Sequence, residues 1–94
     1  MLEPARLVIN ATDERGSFTG SITLQFAADE AEIHDVQVEP EHRRQGIGTA
    51  LVRSALRAAH ERGAQWLYLE VRESNSAALR LYLGQGFIEC GRRP

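Results

Sequence analysis

The apolar patterning of this 94-residue chain predicts an α/β (α+β) fold: a mixed β-sheet of about five strands in the order β-β-β-α-β-α-β, covered by at least two helices. Three observations carry that prediction. Phe18, Gly20, Ile22, Leu24 and Phe26 alternate with Thr19, Ser21, Thr23 and Gln25, the period-two signature of a half-buried strand. Between Gly46 and Arg62 the period changes to that of a helix, with Leu51, Val52, Ala55, Leu56 and Ala59 on one stripe. A second alternating run, Trp66 to Arg72, follows that helix, so the strands on either side of it should run parallel, joined by a right-handed crossover.

The remaining elements fall between these markers. Arg6 to Ala11 is a short apolar run read as the first strand, and Thr12 to Ser17 is a polar turn ending near Gly16. Glu32 to Glu39 reads as the third strand, and strict alternation places His34, Val36 and Val38 on one face. Gly63 stops the first helix, with His60 and Arg62 in its last turn where cations suit the dipole. Ser74 or Asn75 caps a second helix with the stripe Ala78, Leu79, Tyr82 and Leu83. Gly84 and Gly86 end that helix loosely, and Phe87 to Arg92 reads as a final strand. No repeat or linker divides the chain, so residues 1–94 are expected to form a single domain.

Composition narrows the functional classes. At 43% hydrophobic and 26% charged residues, the chain can build a core of its own. A domain this small still buries only roughly 60–65% of its unfolded surface, so a partner would help it. A net charge of −2 gives no basic footprint for nucleic acid. All 11 basic residues are arginine, which removes every lysine-based mechanism. The lone Cys90 has no internal disulfide partner, and no early apolar run resembles a leader or a membrane span; both favour the cytoplasm. His34, His42, His60 and Cys90 lack metal-ligand spacing, so no metal is expected.

The chemistry centres on Val36 to Leu51, read as a strand, a tight turn with two arginines, and a helix opening at Gly46-Ile47-Gly48. The first N–H groups of a helix have no intrahelical partner, and they project along the positive end of its dipole. A glycine-rich turn there is a ready phosphate site, and arginines add planar, permanently charged forks. The backbone amides of Gln45, Gly46, Ile47, Gly48 and Thr49 are thus expected to hold a phosphate-bearing cofactor. A P-loop is excluded because it needs a lysine, and a dinucleotide fingerprint because Leu51 stands where its third glycine belongs.

Arg43-Arg44-Gln45-Gly46-Ile47-Gly48 matches the Gln/Arg-x-x-Gly-x-Gly/Ala motif of the GNAT superfamily of N-acetyltransferases. The run Leu69 to Tyr82 followed by Gly86-Phe87 resembles its RimI-like branch, which acetylates protein N-terminal amines. The resemblance covers roughly Ala31 to Arg92 and implies acetyl-CoA as the cofactor, with a primary amine as acceptor. It implies that the amides at Gln45 to Thr49 hold the pyrophosphate with Arg43 and Arg44 alongside, and that the backbones of Val36 and Val38 take the pantetheine as an added strand. It implies Glu70 as general base and Tyr82 as the acid that protonates the thiolate, with direct transfer in a ternary complex. Partial burial of Glu70 beside Trp66 and Tyr68 would suit it to proton abstraction.

Each role has a plainer counterpart. Glu70 could pair with Arg72, Tyr82 could be a core aromatic with an idle hydroxyl, and Asn75, which matches a cofactor-contacting asparagine, could be only a helix cap. Against the family pattern the chain lacks the first strand, the first two helices and the last strand. Open sheet edges are expected, and with them a homodimer through C-terminal strands or edges. Six acids between Asp29 and Glu41, with no arginine among them, form either a solvated edge or a rim that attracts a cationic amine. A non-catalytic acyl-CoA-binding module is the alternative function.

Overall fold

The computed structural model describes residues 5–43, 45–72 and 74–88. Among them the chain forms β1 (Ala5–Thr12), β2 (Phe18–Ala27), β3 (Glu30–Val38), one turn of 3₁₀ helix (Pro40–His42), α1 (Ile47–Glu61), β4 (Trp66–Leu69) and α2 (Ser76–Gly84). The four strands make one sheet in the order β1-β2-β3-β4. The first two pairings are antiparallel and the third, across α1, is parallel. This is the expected mixed α+β arrangement. Phe87 and Ile88, where a fifth strand was expected to start, are not in a strand, and its continuation to Arg92, including Cys90, lies outside the described residues.

Local chemistry fixes the turns. The Asp13 carboxylate accepts the backbone N–H of Arg15 and of Ser17, each at 2.9 Å, and so closes the β1–β2 connection. Ala28 and Asp29 alone link β2 to β3, with Ala28 in the left-handed region at φ 53°.

One irregularity reorganises β3. The β2–β3 register shifts between Thr23 and Leu24: Thr23 stands opposite Asp35 but Leu24 opposite Ile33, leaving His34 as an extra residue. Such a β-bulge resets the alternation. Ala31 and Ile33, and then Val36 and Val38, all share the face of Ile22 and Leu24. The expectation that His34 lies on the face of Val36 and Val38 is therefore overturned. His34 instead bonds Glu32 on the opposite face, its Nε2 3.0 Å from Oε1.

Beneath the face that holds Ile22 and Leu24 sits α1, which buries Leu51, Val52, Ala55 and Ala59 as its periodicity requires. Burying a large aliphatic side chain stabilises the fold by about 1.5–3 kcal/mol, and Ile22, Leu24 and Val52 are wholly buried. Gly20 sets the approach of the helix to the sheet. A Cβ there would stand 2.6 Å from the Gln37 carbonyl oxygen and 3.3 Å from Ile47 and Leu51.

α2 lies on the same side as α1. Tyr82 is buried, but Leu83, expected on the same stripe, is 57% exposed, and Leu81 packs inward instead. The end of α2 is closed rather than loose. The Gln85 and Phe87 N–H groups both donate to the Tyr82 carbonyl, at 3.0 and 3.1 Å. That turn sets the Phe87 ring edge-on to Tyr82 at 5.6 Å. No helix among the described residues is long and apolar enough to cross a membrane.

Candidate functional site

β3 and β4 part company partway along. Their ladder runs from Glu30 opposite Trp66 to Ile33 opposite Leu69 and then stops. β3 continues to Val38 paired with β2 alone, so a fork opens between the two strands. This explains why the strand expected to reach Arg72 ends at Leu69: past the bulge it has no neighbour to pair with among the described residues. Along the part of β3 that β4 no longer pairs lies a cleft of about 790 Å³, bounded by Val36 to Pro40, His42, Arg43, Gly46 to Thr49, and Ala77, Ala78 and Leu81 of α2.

The turn into α1 faces this cleft. Gly46 is the N-cap at φ 80°, a left-handed conformation that side chains with a Cβ adopt at a cost of about 1–2 kcal/mol. The first intrahelical bond runs from the Ala50 N–H to the Gly46 carbonyl at 3.0 Å. The N–H groups of Ile47, Gly48 and Thr49 accordingly have no partner within the helix. No acidic side chain stands in that first turn to compete with an anion. The Arg43 Nε reaches the Val38 carbonyl at 3.4 Å, so that carbonyl faces the cleft rather than β2. Unpaired amides at a positive helix end, an exposed arginine and a bare strand edge suit a phosphate on an extended, amide-bearing chain.

The expected residues divide between places. Val36, Val38, Arg43, Gly46, Ile47, Gly48 and Thr49 all line the cleft. Gln45 is exposed beside it, its Oε1 3.4 Å from His42 Nδ1. Arg44 lies outside the described residues. Asn75 caps α2, its side-chain oxygen accepting the Ala78 N–H at 3.2 Å, and it does not line the cleft.

Glu70 and Tyr82 line an adjoining open groove that wraps the outer side of β4. Glu70 is exposed, as are Trp66 and Tyr68, so the partial burial expected of its carboxylate is not found. Tyr82 is the buried member of the pair. Burial pushes its phenol above the usual 10.0, and the Asp35 carboxylate adds to the rise, so the hydroxyl keeps its proton at neutral pH. Among the described residues no three His, Cys, Asp or Glu side chains gather as a metal site.

Sequence reasoning missed His42, Ala77, Ala78 and Leu81 as parts of the cleft. The small pair Ala77-Ala78 with Leu81 one turn on was the available signal for a helix face close to α1. Gly48 confirms that closeness, because a Cβ there would meet Leu81 at 3.5 Å.

Comparison with known proteins agrees with this geometry. Residues 2–87 match the model of the Acetyltransferase (GNAT) family, and the chain belongs to that family. It is 38% identical over 77 residues to the [Ribosomal protein bS18]-alanine N-acetyltransferase of Escherichia coli (strain K12), covering 82% of this chain and 52% of that protein. The crystal structure of the ribosomal-protein-S18-alanine N-acetyltransferase from Escherichia coli superposes with a TM-score of 0.86 at 36% identity, over 92% of this chain and 55% of that one. The streptothricin acetyltransferase of Streptomyces lavendulae is 40% identical over 78 residues, which is 81% of this chain and 41% of that protein. The PaiA N-acetyltransferase from Thermoplasma acidophilum, solved in complex with coenzyme A, gives a TM-score of 0.82 at 26% identity, covering 88% and 52%. The chain is a RimI-like GNAT and spans about half the length of the curated relatives it matches.

Proposed function

We propose that this GNAT-family chain carries the donor site and catalytic groups of an N-acetyltransferase, moving an acetyl group from acetyl-CoA to a primary amine. The supporting observation is that the cradle at Gly46 to Thr49 and the free stretch of β3 at Val36 to Val38 line one cleft, while Glu70 and Tyr82 line a second groove that shares α2 with it. In this reading the pyrophosphate rests on the α1 amides beside Arg43 and Arg44. The pantetheine lies along Val36 and Val38. Asn75 serves through the start of α2, which it caps.

The acceptor is a peptide or protein N-terminus or a small amine, as the names of the S18-alanine and streptothricin relatives suggest. It attacks directly within a ternary complex. Glu70 takes a proton from the ammonium, and Tyr82, kept protonated by burial, gives one to the departing thiolate. A homodimer fits the outer edge of β4, which pairs only with β3 among the described residues and is flanked by exposed Trp66, Leu83 and Ile88. Sedimentation at micromolar concentration tests it, and a cytoplasmic setting accords with such a chain.

The second reading, a non-catalytic acyl-CoA-binding module, draws on the exposure of Glu70. Turnover of acetyl-CoA over a panel of amines and N-terminal peptides separates the two. Thiol release with at least one acceptor is expected; calorimetric binding of acetyl-CoA without any turnover would favour the module.

A further inference from the structure

Resting on the acetyltransferase reading above, we infer that the sheet face opposite the helices, at Glu30, Glu32, Trp66 and Tyr68, holds cationic side chains of a peptide acceptor at its third and fifth positions. Both helices pack on the face of Ile22 and Leu24, so among the described residues no element covers the other face. The β3–β4 ladder there sets Glu30 opposite Trp66 and Glu32 opposite Tyr68. Alternation puts all four on the open face, since Ala31 and Ile33 turn to the core. β2 adds only Ala27 opposite Glu30 and Gln25 opposite Glu32, and all six residues line the open groove.

Each carboxylate therefore has an aromatic ring as its neighbour across the ladder. A carboxylate and the face of an indole or phenol have one class of ligand in common, a cation. Trp66 is 57% exposed, Tyr68 41% and the Glu32 side chain 44%, so a guanidinium or ammonium can reach them. Glu32 also bonds His34 through Oε1. The surrounding charge favours the same ligand. Asp35 and Glu70 add carboxylates, against Arg72 past β4 and Arg6, which stands two strands from Glu32 across Gln25. A basic peptide is drawn to such a face and a polyanion repelled.

Spacing gives the pattern. Trp66, Tyr68 and Glu70 are alternate residues of one stretch, roughly 6.5 Å apart. An extended peptide has the same repeat. With its terminal amine at Glu70 and its chain running back along β4, its third side chain falls at Tyr68 and Glu32, and its fifth at Trp66 and Glu30. The second and fourth point away. Pairing of a second copy along the β4 edge extends the sheet and leaves this face open.

Trp66 is the only tryptophan of the chain, so its emission reports on this face directly. The test titrates the whole chain with free-amine peptides of alanine and serine that carry arginine at the third and fifth positions, at the second and fourth, or nowhere. The first should shift the emission saturably and bind roughly 10-fold more tightly than the others. In turnover with acetyl-CoA its kcat/KM should lead by a similar factor, carried by KM rather than kcat. Glu30→Gln combined with Glu32→Gln should cut that lead to about 2-fold, and Trp66→Leu should cut it to about 3-fold. Equal binding of the two arginine patterns, or a lead that survives the paired glutamines, overturns the inference. If the emission shift follows the pattern but no peptide releases thiol from acetyl-CoA, the acetyltransferase reading fails while the peptide face stands.

Discussion

The cleft beside the free stretch of β3 and the groove around β4 are built by different means. The cleft takes most of its wall from one stretch of chain, Val36 to Thr49. The groove is assembled from β3, β4 and α2, residues distant in sequence, and its chemistry rests on exposed side chains around one buried phenol. A site of fixed amides and a bare strand edge suits a ligand whose structure never varies. A site of exposed side chains can be altered without disturbing the core, which is what a changing acceptor requires.

The sharpest way to break this contrast is to fill the cleft alone. Gly48→Leu should weaken acetyl-CoA binding by about 100-fold, roughly 2.7 kcal/mol, by calorimetry. Gly48→Ala is the milder companion and should leave thermal stability nearly unchanged, because the nearest side-chain atoms to a Cβ there lie at 3.5 and 4.0 Å. The complementary change in the groove is Tyr82→Phe. It should lower kcat by on the order of 100-fold while leaving acetyl-CoA affinity intact, since the ring and its contact with Phe87 remain.

The pH dependence of Tyr82 follows from the sign of its shift. Its folded pKa is raised, so the stability it contributes is fully present below about pH 10 and is lost as pH climbs through the raised value. Alkaline unfolding should therefore begin above pH 10 in the wild type and later in Tyr82→Phe. Asp35→Asn should lower the tyrosine titration in a spectrophotometric scan only modestly, because burial is the larger cause.

The frame shared by both sites is tested by Gly20→Ala. The added methyl meets the Gln37 carbonyl, which is backbone and cannot rotate away, so a loss of about 1–3 kcal/mol is expected in chemical denaturation. The smallest effect belongs to the acidic rim on β3. Raising ionic strength should cut kcat/KM for a cationic amine by a few fold, roughly 3-fold, with little change for a neutral one.

Much of this was legible in the residues. The stripe Leu51, Val52, Ala55 and Ala59 could face only a core, and that is where α1 buries them. Gly46-Ile47-Gly48 announced a helix start open to an anion, because capping and dipole effects act within a single turn. The bulge at His34 left one trace in the residues, the polar pair His34-Asp35 that breaks the alternation between Ile33 and Val36. Its pairing opposite Thr23 and Leu24 is set only by β2. Leu81 and Leu83 illustrate the same limit: both suit a helix interior, and only the position of α2 against α1 decides which is buried.

The sequence by itself therefore determined the order of the elements, the faces of the long helix and the phosphate-suited turn, all set by interactions a few residues apart. Only the tertiary structure decided where β3 and β4 diverge, which face His34 takes, and that Glu70 is exposed while Tyr82 is buried. Those outcomes depend on register and packing between separate segments, Leu24 against Ile33 for the bulge and Ile33 against Leu69 for the fork.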